Sequence, residues 1–118
     1  MASTREIGEL GERIAESFLR LKGYEILRRN YRFAGREIDL LVRKGQCLIA
    51  VEVKLRRGER FGRAVEAVDR RKIDRIRTAL SGALANSREP LVARIDAVVI
   101  DLAGGLEGMT VTHIEAIY

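Results

Sequence analysis

Two acidic residues, Asp39 and Glu52, and the lysine two positions after the second, Lys54, are the side chains of this 118-residue chain whose types and spacing can do chemistry. They stand in two segments rich in Ile, Leu and Val, residues 37–43 and 47–54, with Lys44, Gly45 and Gln46 between them. Apolar runs of that length joined by so short a turn predict a β-hairpin. With the turn centred between Gly45 and Gln46, Asp39 opposes Glu52 and Glu37 opposes Lys54. Period-two alternation then places those four side chains on one face and Ile38, Leu40, Val51 and Val53 on the other. Directly opposed carboxylates, their Cβ atoms about 4.5–5.5 Å apart, destabilise a sheet unless positive charge sits between them. A divalent cation answers that need. Two carboxylates with waters and substrate phosphate oxygens are the ligands Mg²⁺ prefers, and Lys54 beside them can orient or polarise an attacking water. The chemistry so defined is phosphodiester hydrolysis. A structural reading competes with it: Glu37 and Lys54 form a cross-strand ion pair, Asp39 is held by Arg36 or Arg43, and the face is simply wet. Spacing alone leaves both open.

The elements that must hold the hairpin are legible on either side of it. Ser3 with Glu6 three residues later is a capping-box pattern, and Ile7, Leu10, Ile14, Phe18 and Leu21 then recur at steps of three and four, predicting an amphipathic helix that stops near Gly23. Gly8, Gly11 and Ala15 lie beside that apolar stripe, and Glu12 stands at the far edge of the small-residue arc, able to reach over a neighbouring layer. Residues 24–29 read as a first strand. After the hairpin, residues 55–62 read as a loop and 64–68 as a short helix; Asp69 is a cap for a longer helix that buries Ile73, Ile76, Leu80 and Leu84 and ends before Pro90. Residues 91–102 predict an apolar strand, Gly104 and Gly105 a turn, and residues 109–117 a final alternating strand. The order of elements implies one α/β domain over residues 1–118, a mixed sheet of about five strands flanked by helices on both faces.

Composition narrows the function classes. With 47% hydrophobic and 33% charged residues, the chain supplies one core, and disordered or fibrous readings fall away. No apolar run approaches the roughly 18 residues of a membrane span, the N-terminus carries no apolar signal core, and the lone Cys47 can neither form an internal disulfide nor complete a cysteine zinc site. These features lead to the expectation of a cytoplasmic protein without a membrane partner. No glycine-rich loop opens a helix, so nucleotide-hydrolysing and dinucleotide-binding classes have no support. The net charge of +5 is local: residues 54–77 hold ten Lys/Arg against four Asp/Glu. Arg56, Arg57, Arg60 and Arg63 follow Lys54 directly, and Arg70, Arg71, Lys72, Arg75 and Arg77 fall on the next helix, a footprint suited to a phosphate backbone. Phe61 is the sole aromatic among them, which favours backbone contacts with duplex or branched nucleic acid over base stacking.

Asp39 followed by Glu52-Val53-Lys54 resembles the PD-(D/E)xK nuclease signature. A wider string is more specific: Gly11-Glu12 with Ala15, Gly23-Tyr24, Asn30, Glu37-Ile38-Asp39-Leu40, Val51-Glu52-Val53-Lys54 with Arg56, Phe61-Gly62, Ala67-Val68 and Lys72. Together these resemble the YraN-like family of small bacterial proteins (uncharacterised protein family 0102), within the restriction-endonuclease-like superfamily and similar to Holliday-junction resolvases. Where that family commonly reads Gly-Glu-Ile-Asp, this chain reads Arg36-Glu37-Ile38-Asp39, with its glycine one position earlier at Gly35. The resemblance implies a restriction-endonuclease-like fold in which Asp39 and Glu52 ligate Mg²⁺ or Mn²⁺, the Val53 carbonyl adds a ligand, Glu12 completes the site and Lys54 assists the nucleophile. Glu37 is then a partner of Lys54 or a peripheral metal group, and Arg36, Arg56, Arg57, Arg60, Arg63, Arg70, Arg71, Lys72 and Arg75 meet nucleic acid. The implied activity is a metal-dependent, structure-selective nuclease acting on DNA, with a homodimer supplying paired active sites. The alternative is a non-catalytic nucleic-acid-binding protein that retains the nuclease fold.

Other residues rank lower. His113 is expected to be a half-buried or surface imidazole, Asp96 and Asp101 to be solvated at strand ends or paired with Arg94, and Cys47 to be a small buried hydrophobe.

Overall fold

A computed structural model describes residues 3–57, 70–105 and 107–118. The helix α1 (Thr4–Leu21) precedes three strands, β1 (Glu25–Phe33), β2 (Arg36–Lys44) and β3 (Cys47–Arg56); the helix α2 (Arg70–Ala85) then leads to β4 (Val92–Asp101) and β5 (Thr110–Ile114). The five strands form one sheet in the order β1-β2-β3-β4-β5. All neighbours are antiparallel except β3 and β4, which run parallel and are joined by the crossover that carries α2. The segment proposed as a loop and short helix, with Arg60, Arg63 and the Asp69 cap, lies outside the described residues from 58 to 69. Among the described residues no helix is long and apolar enough to cross a membrane.

The central hairpin has the expected register from Lys44↔Cys47 at the turn to Leu40↔Val51, but the ladder ends there, before the expected pairs Asp39–Glu52 and Glu37–Lys54. Gly45, at φ +59, supplies the left-handed first position that so tight a turn demands. Strand β3 runs two residues further than expected, taking in Leu55 and Arg56, because β4 pairs with it along its whole length. Strand β1 is also longer than residues 24–29 and makes a second hairpin with β2, closed by Ala34 and Gly35, both at positive φ, between Phe33 and Arg36. The glycine displaced to position 35 is therefore a turn residue.

Each face of the sheet carries its own core. Ala15 and Leu19 of α1 pack with Tyr24, Leu40, Val42, Ile49, Val51, Val98 and Ile100 on one side. On the other, Ile73, Ile76, Ala79 and Leu80 of α2 pack with Ile38, Leu41, Leu48, Ala50 and Ile95. The capping box of α1 forms as predicted, Glu6 N donating to Ser3 Oγ and Ser3 N to Glu6 Oε1, each over 3.1 Å. The buried stripe is corrected. It runs through Gly11, Ala15 and Leu19 rather than Leu10 and Leu21, which are 50% and 89% exposed. Small side chains let the helix lie close on the sheet: a Cβ on Gly11 would already touch Leu55 Cδ1 at 3.5 Å.

Alternation along β2 fails at one place, and that place is Asp39. Ile38 packs under α2 while Leu40 packs under α1, so the expectation that both share a face is wrong. The cause lies opposite. Asn30 adopts a left-handed backbone, φ 48, between the pairs Arg29↔Leu40 and Tyr31↔Ile38. Asparagine tolerates that conformation better than most residues. The twist it introduces sends Arg29 toward α1, where it meets Glu16, and Tyr31 toward the α2 core. Gly82 of α2 fixes the far end of the same hairpin, since a Cβ there would lie 2.6 Å from the Phe33 ring.

Candidate functional site

At the kink the Asp39 carboxylate turns toward β3, where Val53 N donates to Asp39 Oδ2 over 2.9 Å. Glu52 is buried beside it, its side chain 7% exposed, and accepts the Lys72 ammonium at 2.9 Å between Nζ and Oε1. Lys54, two residues on along β3, projects to the same α2 side and shares a hydrogen bond with Lys72. Two carboxylates and two lysines therefore meet where β2, β3 and the start of α2 converge. A cleft of about 600 Å³ opens above them, lined by Gly35, Arg36, Glu37, Asp39, Glu52, Arg71, Lys72, Arg75 and Ile76.

The electrostatics follow from this crowding. Burial, then the neighbouring Glu52, push the Asp39 carboxyl up to about 7, against the single opposing hydrogen bond from Val53 N. Lys54 is lowered by burial and by its contacts with Lys72. Lys72 moves the other way: burial alone would lower it, but its hydrogen bonds to Lys54 and Glu52 raise it. Lys72 thus stands between Glu52 and Lys54. Glu12 is raised by burial and by the charges of Glu37, Glu9 and Glu52.

The site differs from the sequence reading at several positions. Lys72, expected on the nucleic-acid face, belongs to the carboxylate pair; its place one position before Ile73 and one helical turn before Ile76 brings it down onto the sheet. Glu37, expected as a partner of Lys54 or a peripheral metal group, lines the cleft and lies 3.8 Å from Arg32. The structural alternative loses its partners too: Arg36 Nη1 donates to the Ala34 carbonyl, and Arg43 donates to the Gly45 carbonyl and pairs with Glu89. Glu12 lines a different depression, with Glu9, Arg13, Glu16, Arg29, Asn30 and Leu40 on the α1 side. Among the described residues no three carboxylate, histidine or cysteine side chains form a group that could hold a metal ion. Asp39 and Glu52 alone still fit Mg²⁺, which commonly takes one or two carboxylates and completes its shell with waters and substrate phosphates. Of the expected phosphate contacts, Arg36, Arg71 and Arg75 line the cleft, Arg57 and Arg70 are exposed, and Arg56 is half-buried with Nε lacking a hydrogen-bond partner among the described residues.

A second polar cluster lies on the α1 side of β4. Asp96, expected at a solvated strand end or paired with Arg94, is fully buried and forms the expected pair, accepting from Arg94 Nε and Nη2 at 2.8 Å, and it also accepts from Ala116 N at 2.9 Å and from His113 Nε2 at 2.7 Å. His113 as a residue is half-buried, as expected, but its side chain is turned inward and is only 2% exposed. Lys22 Nζ lies 2.7 Å from His113 Nδ1. A lysine has only donors, so Nδ1 accepts and the ring proton sits on Nε2, facing Asp96. Burial alone would raise Asp96, but Arg94, Ala116 N and His113 together hold it below its ordinary value.

Among the described residues, a five-stranded mixed sheet between two helices, with a carboxylate pair on the strands beside its parallel crossover, is an α/β architecture consistent with a restriction-endonuclease-like fold. The chain belongs to the family described as Uncharacterised protein family UPF0102, whose model matches residues 11–100. It is 43% identical to a UPF0102 protein of Symbiobacterium thermophilum over 99 residues, 83% of this chain and 84% of that one. It is 34% identical to a UPF0102 protein of Christiangramia forsetii over 115 residues, covering 98% and 95% of the two chains. A UPF0102 protein of Dictyoglomus thermophilum is 47% identical over 75 residues, 64% of each chain.

Proposed function

We propose that the cleft is the active site of a metal-dependent, structure-selective nuclease that hydrolyses DNA phosphodiester bonds. The observation that carries this reading is the pairing of Asp39 with the buried Glu52, backed by Lys54, on the floor of a cleft rimmed by Arg36, Arg71 and Arg75. Asp39 and Glu52 would hold Mg²⁺ or Mn²⁺, with the Val53 carbonyl as an adjacent donor. When bound, such an ion supplies Lewis-acid polarisation of the phosphate and a more acidic water. Lys54 orients the attacking water from the α2 side, and the three arginines hold the flanking phosphates at the cleft mouth. Glu12 acts on the pair from the α1 side through its charge. Arg57 and Arg70 extend the basic track beyond the cleft, and a two-fold dimer would present two clefts to the two strands of a branched duplex.

A non-catalytic DNA-binding role is the second reading, favoured by the Lys72 ammonium that already satisfies Glu52. Cleavage of duplex, flap, four-way-junction and single-stranded substrates in Mg²⁺ or Mn²⁺ by wild type and Asp39→Ala, with native gels on the same samples, separates the two. Cleavage lost in the variant with binding retained is the expected result. Binding by both without cleavage by either would establish the non-catalytic role.

A further inference from the structure

We propose that Lys72 is a tethered counter-cation which holds Glu52 in the metal-free protein, and that a divalent ion binds only as this ammonium leaves the carboxylate. The inference deepens the metal reading above and rests on it. The Lys72 ammonium occupies Glu52 Oε1 at 2.9 Å, and Glu52 is the most deeply buried carboxylate of the cleft, its side chain 7% exposed. An ion ligated by that oxygen at the usual metal distance would stand within a few ångströms of the Lys72 ammonium, and their repulsion in a partly desolvated site favours departure of the lysine. The two cations therefore compete for one acceptor.

The geometry gives the lysine somewhere to go. Its side chain is 38% exposed and lines the cleft, while its backbone belongs to a helix anchored by Ile73 and Ile76 in the core. The four-carbon stem can swing into the cleft without moving the helix. What it leaves behind is a pair of adjacent carboxylates with the Val53 N donor and only Lys54 nearby, an arrangement that favours added positive charge. Lys72 supplies it before the metal arrives, keeping Glu52 ionised and aimed. Lys72 is accordingly a positioning residue whose removal makes the metal bind more tightly, opposite to the effect of removing a ligand.

The test is Mn²⁺ binding to the full chain, read by calorimetry and by the paramagnetic resonance signal of free Mn²⁺, for wild type, Lys72→Met, Lys72→Arg and Asp39→Ala. Lys72→Met should bind about tenfold more tightly or better, the loss of one charge-assisted hydrogen bond from the competing state. Lys72→Arg, which keeps the charge, should stay within a few-fold of wild type, and Asp39→Ala should lose binding. A urea midpoint for each variant confirms folding, and Lys72→Gln replaces Lys72→Met if the latter fails to fold. Equal or weaker Mn²⁺ binding by the Lys72 variant, with binding still dependent on Asp39, would overturn the tethered-cation role and leave the metal reading standing. Absence of Mn²⁺ binding from every protein, the Lys72 variants included, would overturn both.

Discussion

Asp96 and Asp39 are two aspartates of one sheet with opposite surroundings. Asp96 is fully buried, yet its two oxygens accept four hydrogen bonds, from Arg94 twice, from His113 and from Ala116 N. Its charge is compensated and its pKa lies below the ordinary value. Asp39 is only half-buried, has one backbone donor and faces another carboxylate, so its pKa rises to about 7. A saturated acid ties strands together; an under-compensated one is held at the expense of stability. Perturbed acids of the second kind concentrate at sites that bind or react, because the missing partner is supplied by a ligand.

The contrast breaks most visibly under truncation. Asp96→Ala leaves Arg94 and His113 without their common acceptor and should lower unfolding free energy by roughly 3–5 kcal/mol, measured by urea unfolding. Asp39→Asn removes a repelling charge and should raise stability in metal-free buffer. A loss on Asp39→Asn comparable to that on Asp96→Ala would erase the distinction. Next in size is Gly82→Ala, expected to cost about 1–3 kcal/mol because the added methyl enters the Phe33 ring and displaces the hairpin that walls the cleft.

The two acids also occupy different pH windows. Asp39 is raised in the fold, so its contribution is fully present below its ordinary pKa of 3.8 and is lost as pH rises through about 7. Asp96 is lowered, so its contribution is present above 3.8 and is lost as pH falls through its depressed value. Metal-free protein should therefore be more stable at pH 5 than at pH 8, and urea midpoints at the two values should show the gap narrowing in Asp39→Asn. The smallest effects belong to the rim. Arg71→Ala and Arg75→Ala should each change stability by less than about 0.5 kcal/mol, while reducing the slope of log DNA affinity against log salt by about 1.

Much of this arrangement is legible in the sequence. The β2–β3 register followed from two apolar runs and a three-residue gap, and the α1 cap from Ser3 and Glu6, since local patterning settles both. The kink at Asn30 is not legible, because a left-handed residue in a strand leaves no trace in hydrophobic alternation, and with it goes the facing of Ile38. The α1 stripe was misplaced toward the larger side chains, whereas close packing selected Gly11 and Ala15. Lys72 looked like one cation in a basic run; only the descent of α2 onto β3 made it a neighbour of Glu52. The Arg94–Asp96 pair, two residues apart, is legible in the sequence, whereas the other contacts of that cluster join residues 17 to 91 positions apart and leave no local signal.

The central claim is that the Asp39–Glu52 pair is retained at a cost in stability because it receives a divalent cation. Urea unfolding of wild type and Asp39→Asn near pH 8, in chelator and then in excess Mn²⁺, tests it most directly. The account predicts that Asp39→Asn is the more stable protein in chelator and that Mn²⁺ stabilises wild type alone. A variant less stable than wild type in chelator, or equal stabilisation of both by Mn²⁺, would contradict it.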